Sequence, residues 1–322
     1  MSLTEAMTLP PKRRLSRQVM ISAVILAAIL FGLWIEAPNF FRYNNILNVL
    51  LQASLLGILA VGMAVVMIVG GIDLSLPANM AMSAVLGALY MKATGDWGAA
   101  TLIMMGVGLT IGLLNGIAVA RLKMIPFVVT LAMMTVVSGT TVWMTNSLSI
   151  SQLPDGFVDL FGARPILRIP VTVIIVAALA LLVAMLMRSS VVGRWAYAVG
   201  INEKAARVAR VPISRVVIAS YIFGGLMAGM AAILLTARLG AASANMGNDG
   251  VVLDIVSACV VGGISIYGGA GRVGGALFGA LLITLLSNAM NLIGISFYLS
   301  LVIKGAVIVA FVAADSRREM KQ

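Results

Sequence analysis

Long apolar runs separated by short polar junctions leave this chain few ways to fold. A helix that crosses the hydrocarbon of a bilayer needs about 20 mostly apolar residues. Ten runs approach or meet that length: 19–36, 46–70, 76–91, 98–120, 125–146, 169–187, 213–236, 252–267, 275–291 and 296–314. The runs 76–91, 252–267 and 275–291 are short for a full crossing, so tilted, broken, re-entrant or sheltered helices are expected there. Only 10% of the 322 residues are charged, against roughly 25% in a soluble domain, too few to wet an exterior of this size. Backbone groups in lipid must be satisfied within their own segment, which selects helices. Barrel strands would instead alternate over about ten residues. The expectation is an all-α, polytopic transmembrane bundle of about ten spans.

Charge orients it. With ten crossings and both termini on the cytoplasmic side, sixteen Lys and Arg face the cytoplasm: Lys12, Arg13, Arg14, Arg17, Arg121, Lys123, Arg188, Arg194, Lys204, Arg207, Arg210, Arg215, Arg272, Arg317, Arg318 and Lys321. Five lie opposite (Arg42, Lys92, Arg164, Arg168 and Arg238), and Lys304 falls inside the last run. That asymmetry obeys the rule that basic loops stay inside. The domain plan is a basic cytoplasmic tail at 1–18, a membrane domain at 19–314 and a cytoplasmic tail at 315–322. The first run ends at Glu36-Ala37-Pro38 without a small-residue cleavage site, so it reads as a retained helix and not a leader. The net charge of +11 sits in short clusters between apolar runs, which argues against a nucleic-acid surface. A single cysteine, Cys259, excludes an internal disulfide framework, and the absence of histidine, with no paired-cysteine or HExxH spacing, weighs against a metal site or a histidine base. No enzymatic role and no cofactor bound by this chain are expected.

Polar residues within the apolar runs mark places of interest. Val69-Gly70-Gly71-Ile72-Asp73-Leu74-Ser75-Leu76-Pro77 joins the second and third runs. Asp73 or Ser75 can cap the following helix, whose first turn accommodates Pro77. Gating, partner contact and solute binding are the alternatives for Asp73. A similar string, Val261-Gly262-Gly263-Ile264-Ser265-Ile266-Tyr267-Gly268-Gly269, continues to Gly271 and Arg272. The shared Val-Gly-Gly-Ile opening hints at a parallel internal repeat, and the second string reads as a tight connection or a bending gate. Gly106, Gly108, Gly112 and Gly116 line one side of a run and suit either an internal helix seam or a subunit interface. Gln52, Asn115 and Asn288 are the candidates for a translocation path, because an amide is costly to leave unpaired in a membrane. Serine and threonine more often return their hydroxyls to the local backbone. Lys304 can pair across helices, face a cavity or snorkel. Neutral polar side chains along a path suit an uncharged, hydroxylated solute better than an ion.

The longest cytoplasmic connection is 188–215. There Asn202 can cap a short helical run from Glu203 to Arg210, bounded by Pro212. Such a helix either rests on the membrane surface or inserts into a cytoplasmic partner. No G-x-x-x-x-G-K-[ST] sequence occurs, so an ATP-driven process would need its ATPase on another chain.

Four segments together resemble the monosaccharide-type permeases of bacterial ABC importers: Asn44-Asn45-Ile46-Leu47-Asn48-Val49-Leu50, Gly70 to Ser75, Ala198 to Ala206, and Gly262 to Gly275. The resemblance implies a multi-pass protein of the bacterial inner membrane. It would work with a second permease copy or homologue, a cytoplasmic ABC ATPase that binds ATP and magnesium, and an extracytoplasmic sugar-binding protein. The substrate would be a sugar or similar small polyhydroxylated solute. It assigns ATPase coupling to Gly200, Asn202, Glu203, Ala205 and Ala206. Gating or structural roles are expected at Gly70, Gly71, Asp73, Ser75, Gly262, Gly263, Ser265, Gly268, Gly269 and Arg272. The family usually has glycine where this chain has Arg210, and arginine there would allow a longer coupling helix or a different partner surface. The rival reading is a secondary transporter working alone.

Overall fold

The computed structural model describes residues 38–162, 165–166, 169–247 and 249–319. The expected first span at 19–36 and the basic tail at 1–18 lie outside the described residues. The helices, in chain order, are α1 (Tyr43–Ile68), α2 (Leu76–Thr94), α3 (Trp97–Ala120), α4 (Pro126–Thr145), α5 (Asp155–Phe161), α6 (Val171–Ser189), α7 (Val191–Ile201), α8 (Glu203–Val208), α9 (Ile213–Leu239), α10 (Asp249–Val261), α11 (Val273–Leu292) and α12 (Phe297–Glu319). Four two-residue strands join them: β1 (Ile150–Ser151) pairs antiparallel with β4 (Ala241–Ala242), and β2 (Pro165–Ile166) with β3 (Ile169–Pro170).

Seven described helical segments are long and apolar enough to cross a membrane: α1, α3, α4, α6, α9, the stretch Ala244–Val261 that ends in α10, and α11. The expected spans 76–91 and 296–314 correspond to α2 and α12, which fall outside that set. α2 does so for a physical reason. It is enclosed by α3, α4 and α9, with Ala78, Asn79, Met80, Ser83, Ala84, Gly87 and Ala88 all buried. A helix shielded from lipid by protein need not be greasy, and it can carry Asn79 and Ser83. The expected span 252–267 requires correction: its helix stops at Val261, and 262–267 belong to a turn.

The centre of the bundle is α1, α2 and α9, whereas α4 and α6 lie at the rim with broad apolar faces exposed. Close approach between α3 and α9 depends on missing side chains. A methyl group on Gly108 would strike the carbonyl of Gly225, one on Gly112 that of Tyr221, and one on Gly116 would lie 3.0 Å from Ile218 Cα. The glycine row is therefore an internal seam, although Gly106 faces open space. Asn79 Nδ2 ties α2 to the same place by donating to Gly108 O at 3.1 Å.

The connections fall on two faces. Residues 69–75, the α3–α4 turn, α7, α8 and the turn 262–272 gather at one end, beside Lys123, Arg207 and Arg272. We call this the basic face. At the other end β1 pairs with β4, Gly156 packs beside Trp97, and Arg238 Nη2 donates to Asn48 Oδ1 at 3.1 Å.

Candidate functional site: a basic-face platform and a polar cleft

The platform begins where α1 ends. Gly70 takes a left-handed conformation (φ +89°), so its N–H reaches Met67 O at 2.9 Å and the Gly71 N–H reaches Val66 O at 3.0 Å. This terminator satisfies carbonyls that a helix end leaves bare. α10 ends in the same way, but there the left-handed residue is Gly263 (φ +81°), with Ile264 N–H on Cys259 O at 3.0 Å. The two Val-Gly-Gly-Ile strings thus serve one purpose in registers one residue apart. They also touch: Gly269 N–H donates to Ile68 O at 2.9 Å, and a methyl on Gly268 would lie 2.8 Å from Gly70 Cα.

Below this turn sits a buried polar cluster. Asp73 Oδ1 accepts from Ser75 N–H at 3.0 Å, Ser75 Oγ at 2.6 Å and Asn115 Nδ2 at 3.3 Å. Asn115 Nδ2 also reaches Ser75 Oγ at 2.8 Å. The neighbouring Ile72 carbonyl accepts from Thr130 Oγ1 at 3.2 Å and Tyr221 Oη at 3.4 Å. Asp73 and Ser75 are buried, and three donors converge on a carboxylate with no cation beside it among the described residues. The cluster locks the α1–α2 turn to α3, α4 and α9. Asn115, read from the sequence as a path residue, stands in this lock. Asn288 exchanges two 3.0 Å amide hydrogen bonds with Asn45, tying α11 to α1.

α7 and α8 cover the platform. Ser190 caps α7 by accepting from Gly193 N–H at 3.0 Å, and Asn202 caps α8 by accepting from Ala205 N–H at 3.0 Å. Gly200 lies so close to Ile68 O and Gly269 N that a methyl group has no room. Tyr197 Oη donates to Gly271 O at 2.9 Å; burial pushes the phenol up while Arg272 pulls it down. Ala206 faces inward and is buried, whereas Asn202, Glu203, Lys204 and Ala205 are exposed. Glu203 and Arg207 form an exposed ion pair at 2.7 Å, an i,i+4 pair of a few tenths of a kcal/mol. α8 ends at Val208, so the longer helix expected from Arg210 is not formed. Arg210 instead occupies the left-handed position (φ +58°), with Val211 N–H on Ala206 O at 3.0 Å. That is the position where glycine costs least. Sequence reading left α7 unassigned; Ser190 ahead of Val191 was the available capping signal.

A separate cleft of about 520 Å³ opens among α1, α2, α9, α10, α11 and α12. Gln52, Thr284, Ser287 and Asn291 contribute its neutral polar wall, and Leu55, Leu59 and Met80 its apolar part. Lys304 lines it in an ion pair with Asp254, Nζ standing 2.8 Å from Oδ1 and 3.0 Å from Oδ2. The sequence does not show Asp254 as the partner of Lys304, because the two lie 50 residues apart. The threonines and serines elsewhere behave locally: Thr135, Thr140, Thr141, Ser220 and Ser257 each donate to the carbonyl four residues back. Between Leu59, in the cleft wall, and Gly70, on the platform, α1 runs about 16 Å. Met63, Met67 and Ile68 fill that interval and are fully buried.

Residues 45–312 match the family described as branched-chain amino acid transport system / permease component. The chain belongs to this permease family. It is 34% identical over 309 residues, 95% of each chain, to the ribose import permease protein RbsC of Escherichia coli K12. Identity is 37% over 282 residues, 87% of each chain, to the ribose import permease protein RbsC of Bacillus subtilis 168. With the L-arabinose ABC transporter permease protein AraH of Azospirillum brasilense it shares 31% over 303 residues, 92% of this chain and 87% of that one. No solved structure matches. This permease is a multi-pass protein of the inner membrane, as its family and its seven long apolar helical segments require.

Proposed function

We propose that this permease is the membrane-spanning subunit of an ATP-driven ABC importer for a monosaccharide or similar small polyhydroxylated solute. The observation that carries the proposal is similarity to ribose and arabinose permeases along nearly the whole chain. The partners are a second permease copy or homologue, a cytoplasmic ABC ATPase holding ATP and magnesium, and an extracytoplasmic sugar-binding protein. Both termini are cytoplasmic, the basic face is the cytoplasmic one, and ten spans cross the membrane. The α1–α2 and α10–α11 turns run in the same sense, which supports a parallel internal repeat.

In this reading the ATPase engages the exposed edge of α8 at Asn202, Glu203 and Ala205. Ala206 and Gly200 face the other way and transmit its displacement. Because Gly200 packs against both Ile68 O and Gly269 N, a push on α8 reaches the end of α1 and the α10–α11 turn together. Glycine contacts without intervening side chains give little slack for that motion to dissipate.

Reconstituted vesicles carrying the permease, its ATPase and its binding protein test the proposal with labelled ribose, xylose, arabinose and galactose. Uptake of at least one should require ATP inside the assay compartment of the ATPase. The rival secondary transporter draws on the charged pair Asp254–Lys304 in the cleft, a type of pair used in ion coupling. Uptake driven by an imposed ion gradient, with the ATPase absent, would establish that rival instead.

A further inference from the structure

We propose that the Asp254–Lys304 pair is the solute-recognition element of the permease, binding the hydroxyl groups of a neutral sugar in the cleft. The proposal rests on the importer reading and names where its substrate is held. Charged groups are expensive at membrane depth, and an ion pair that merely fastened α12 to α10 could be replaced by apolar contact. Here the pair is largely buried yet lines open volume. Nζ and the carboxylate oxygens lie 2.8 and 3.0 Å apart in the wall of a cleft of about 520 Å³. That volume lies within the range of small-molecule sites, roughly 300–1,000 Å³.

The chemistry around the pair fits a polyol. A carboxylate accepts hydrogen bonds from hydroxyls, and an ammonium donates to hydroxyl or ring oxygens. Together they carry no net charge, which favours a neutral solute over an ion. Thr284 and Ser287 on α11 and Gln52 on α1 add weaker partners on the facing walls. Leu55, Leu59 and Met80 offer apolar surface for the carbon-bound hydrogens of a sugar ring. This mixture, a largely apolar cavity with a few convergent polar groups, is the usual composition of a small-molecule site. Arg238 stands at the same cleft and is already engaged by Asn48 Oδ1.

The test uses the full complex of permease, ATPase and binding protein in vesicles, with ribose and arabinose as probes. The double variant Asp254→Leu/Lys304→Met replaces the pair with apolar packing. It should still assemble with the ATPase, as co-purification reads, while sugar uptake falls by about tenfold or more. Uptake near the wild-type rate would show that the pair only fastens α12, and would overturn the proposal. A second measurement leaves the pair intact, so it does not depend on folding of that variant. In Gln52→Cys, with Cys259 buried, labelling by a membrane-impermeant maleimide should slow when whichever of ribose, arabinose, xylose and galactose the wild-type complex imports is added at saturation. Equal potassium chloride should have no such effect. Absence of protection would also overturn the proposal. A wild-type complex that imports neither these sugars nor xylose or galactose would instead fail the importer reading itself, and the pair's assignment with it.

Discussion

Gly200 and Arg210 show how little freedom a single position can have at the platform. A β-carbon on Gly200 would enter the backbone of both Ile68 and Gly269, and neither can yield as a flexible side chain would. Gly200→Val is expected to lower the melting temperature of the detergent-purified permease and to abolish stimulated hydrolysis by the ATPase complex. Arg210 is the opposite case. Its φ of +58° costs a non-glycine residue roughly 1–2 kcal/mol, so Arg210→Gly should leave stability equal or higher, and Arg210→Val should lower it. Thermal unfolding of the three proteins in one detergent measures the order. Asp73→Ala leaves three donors facing an empty acceptor position. Each buried donor left unpaired costs about 1–3 kcal/mol. Asp73→Asn keeps one carbonyl oxygen there and should be the milder change in the same assay.

At the scale of elements, the apolar runs located the long helices well because lipid imposes one simple demand on them. The same logic failed where protein replaces lipid. α2 is sheltered, so its hydropathy understates it, and α10 ends early because Gly262 and Gly263 close it. Asn202 was legible as a cap because capping is local. The pairing of Lys304 with Asp254 was not, since it depends on how α12 lies against α10. Ala205 and Ala206 were indistinguishable in sequence, whereas the structure exposes one and buries the other. Ala205→Trp should therefore weaken co-purification of the ATPase without changing the melting temperature. Ala206→Trp should depress both. Equal effects at the two positions would sink the proposed orientation of α8.

For the molecule as a whole, the two-faced arrangement predicts sidedness. Cysteines placed singly at Lys204 and Asn245 should react oppositely with an impermeant maleimide applied to intact cells. Asn245→Cys should label at once, and Lys204→Cys only after the membrane is opened. Labelling of both from one side would invalidate the topology. The charge asymmetry is what argues for this orientation, since it counts residues and needs no packing. The cleft was less readable: of the three path candidates only Gln52 lines it, whereas Asn115 and Asn288 hold helices together. An amide's intolerance of lipid says that it must find partners, not which ones.

The sheltered position of α2 bears on how the chain is made. During synthesis α2 emerges long before α9, yet α9 supplies part of its wall. At synthesis rates of about 5–20 residues per second, the helix waits roughly 6–30 seconds for that wall to arrive. With Asn79 and Ser83 on it, it is a poor guest for bare lipid, so the insertion machinery or an early neighbour has to hold it meanwhile. A chain halted before Ile213 should leave a cysteine placed at Ser83 open to water-borne reagent, and the finished protein should hide it.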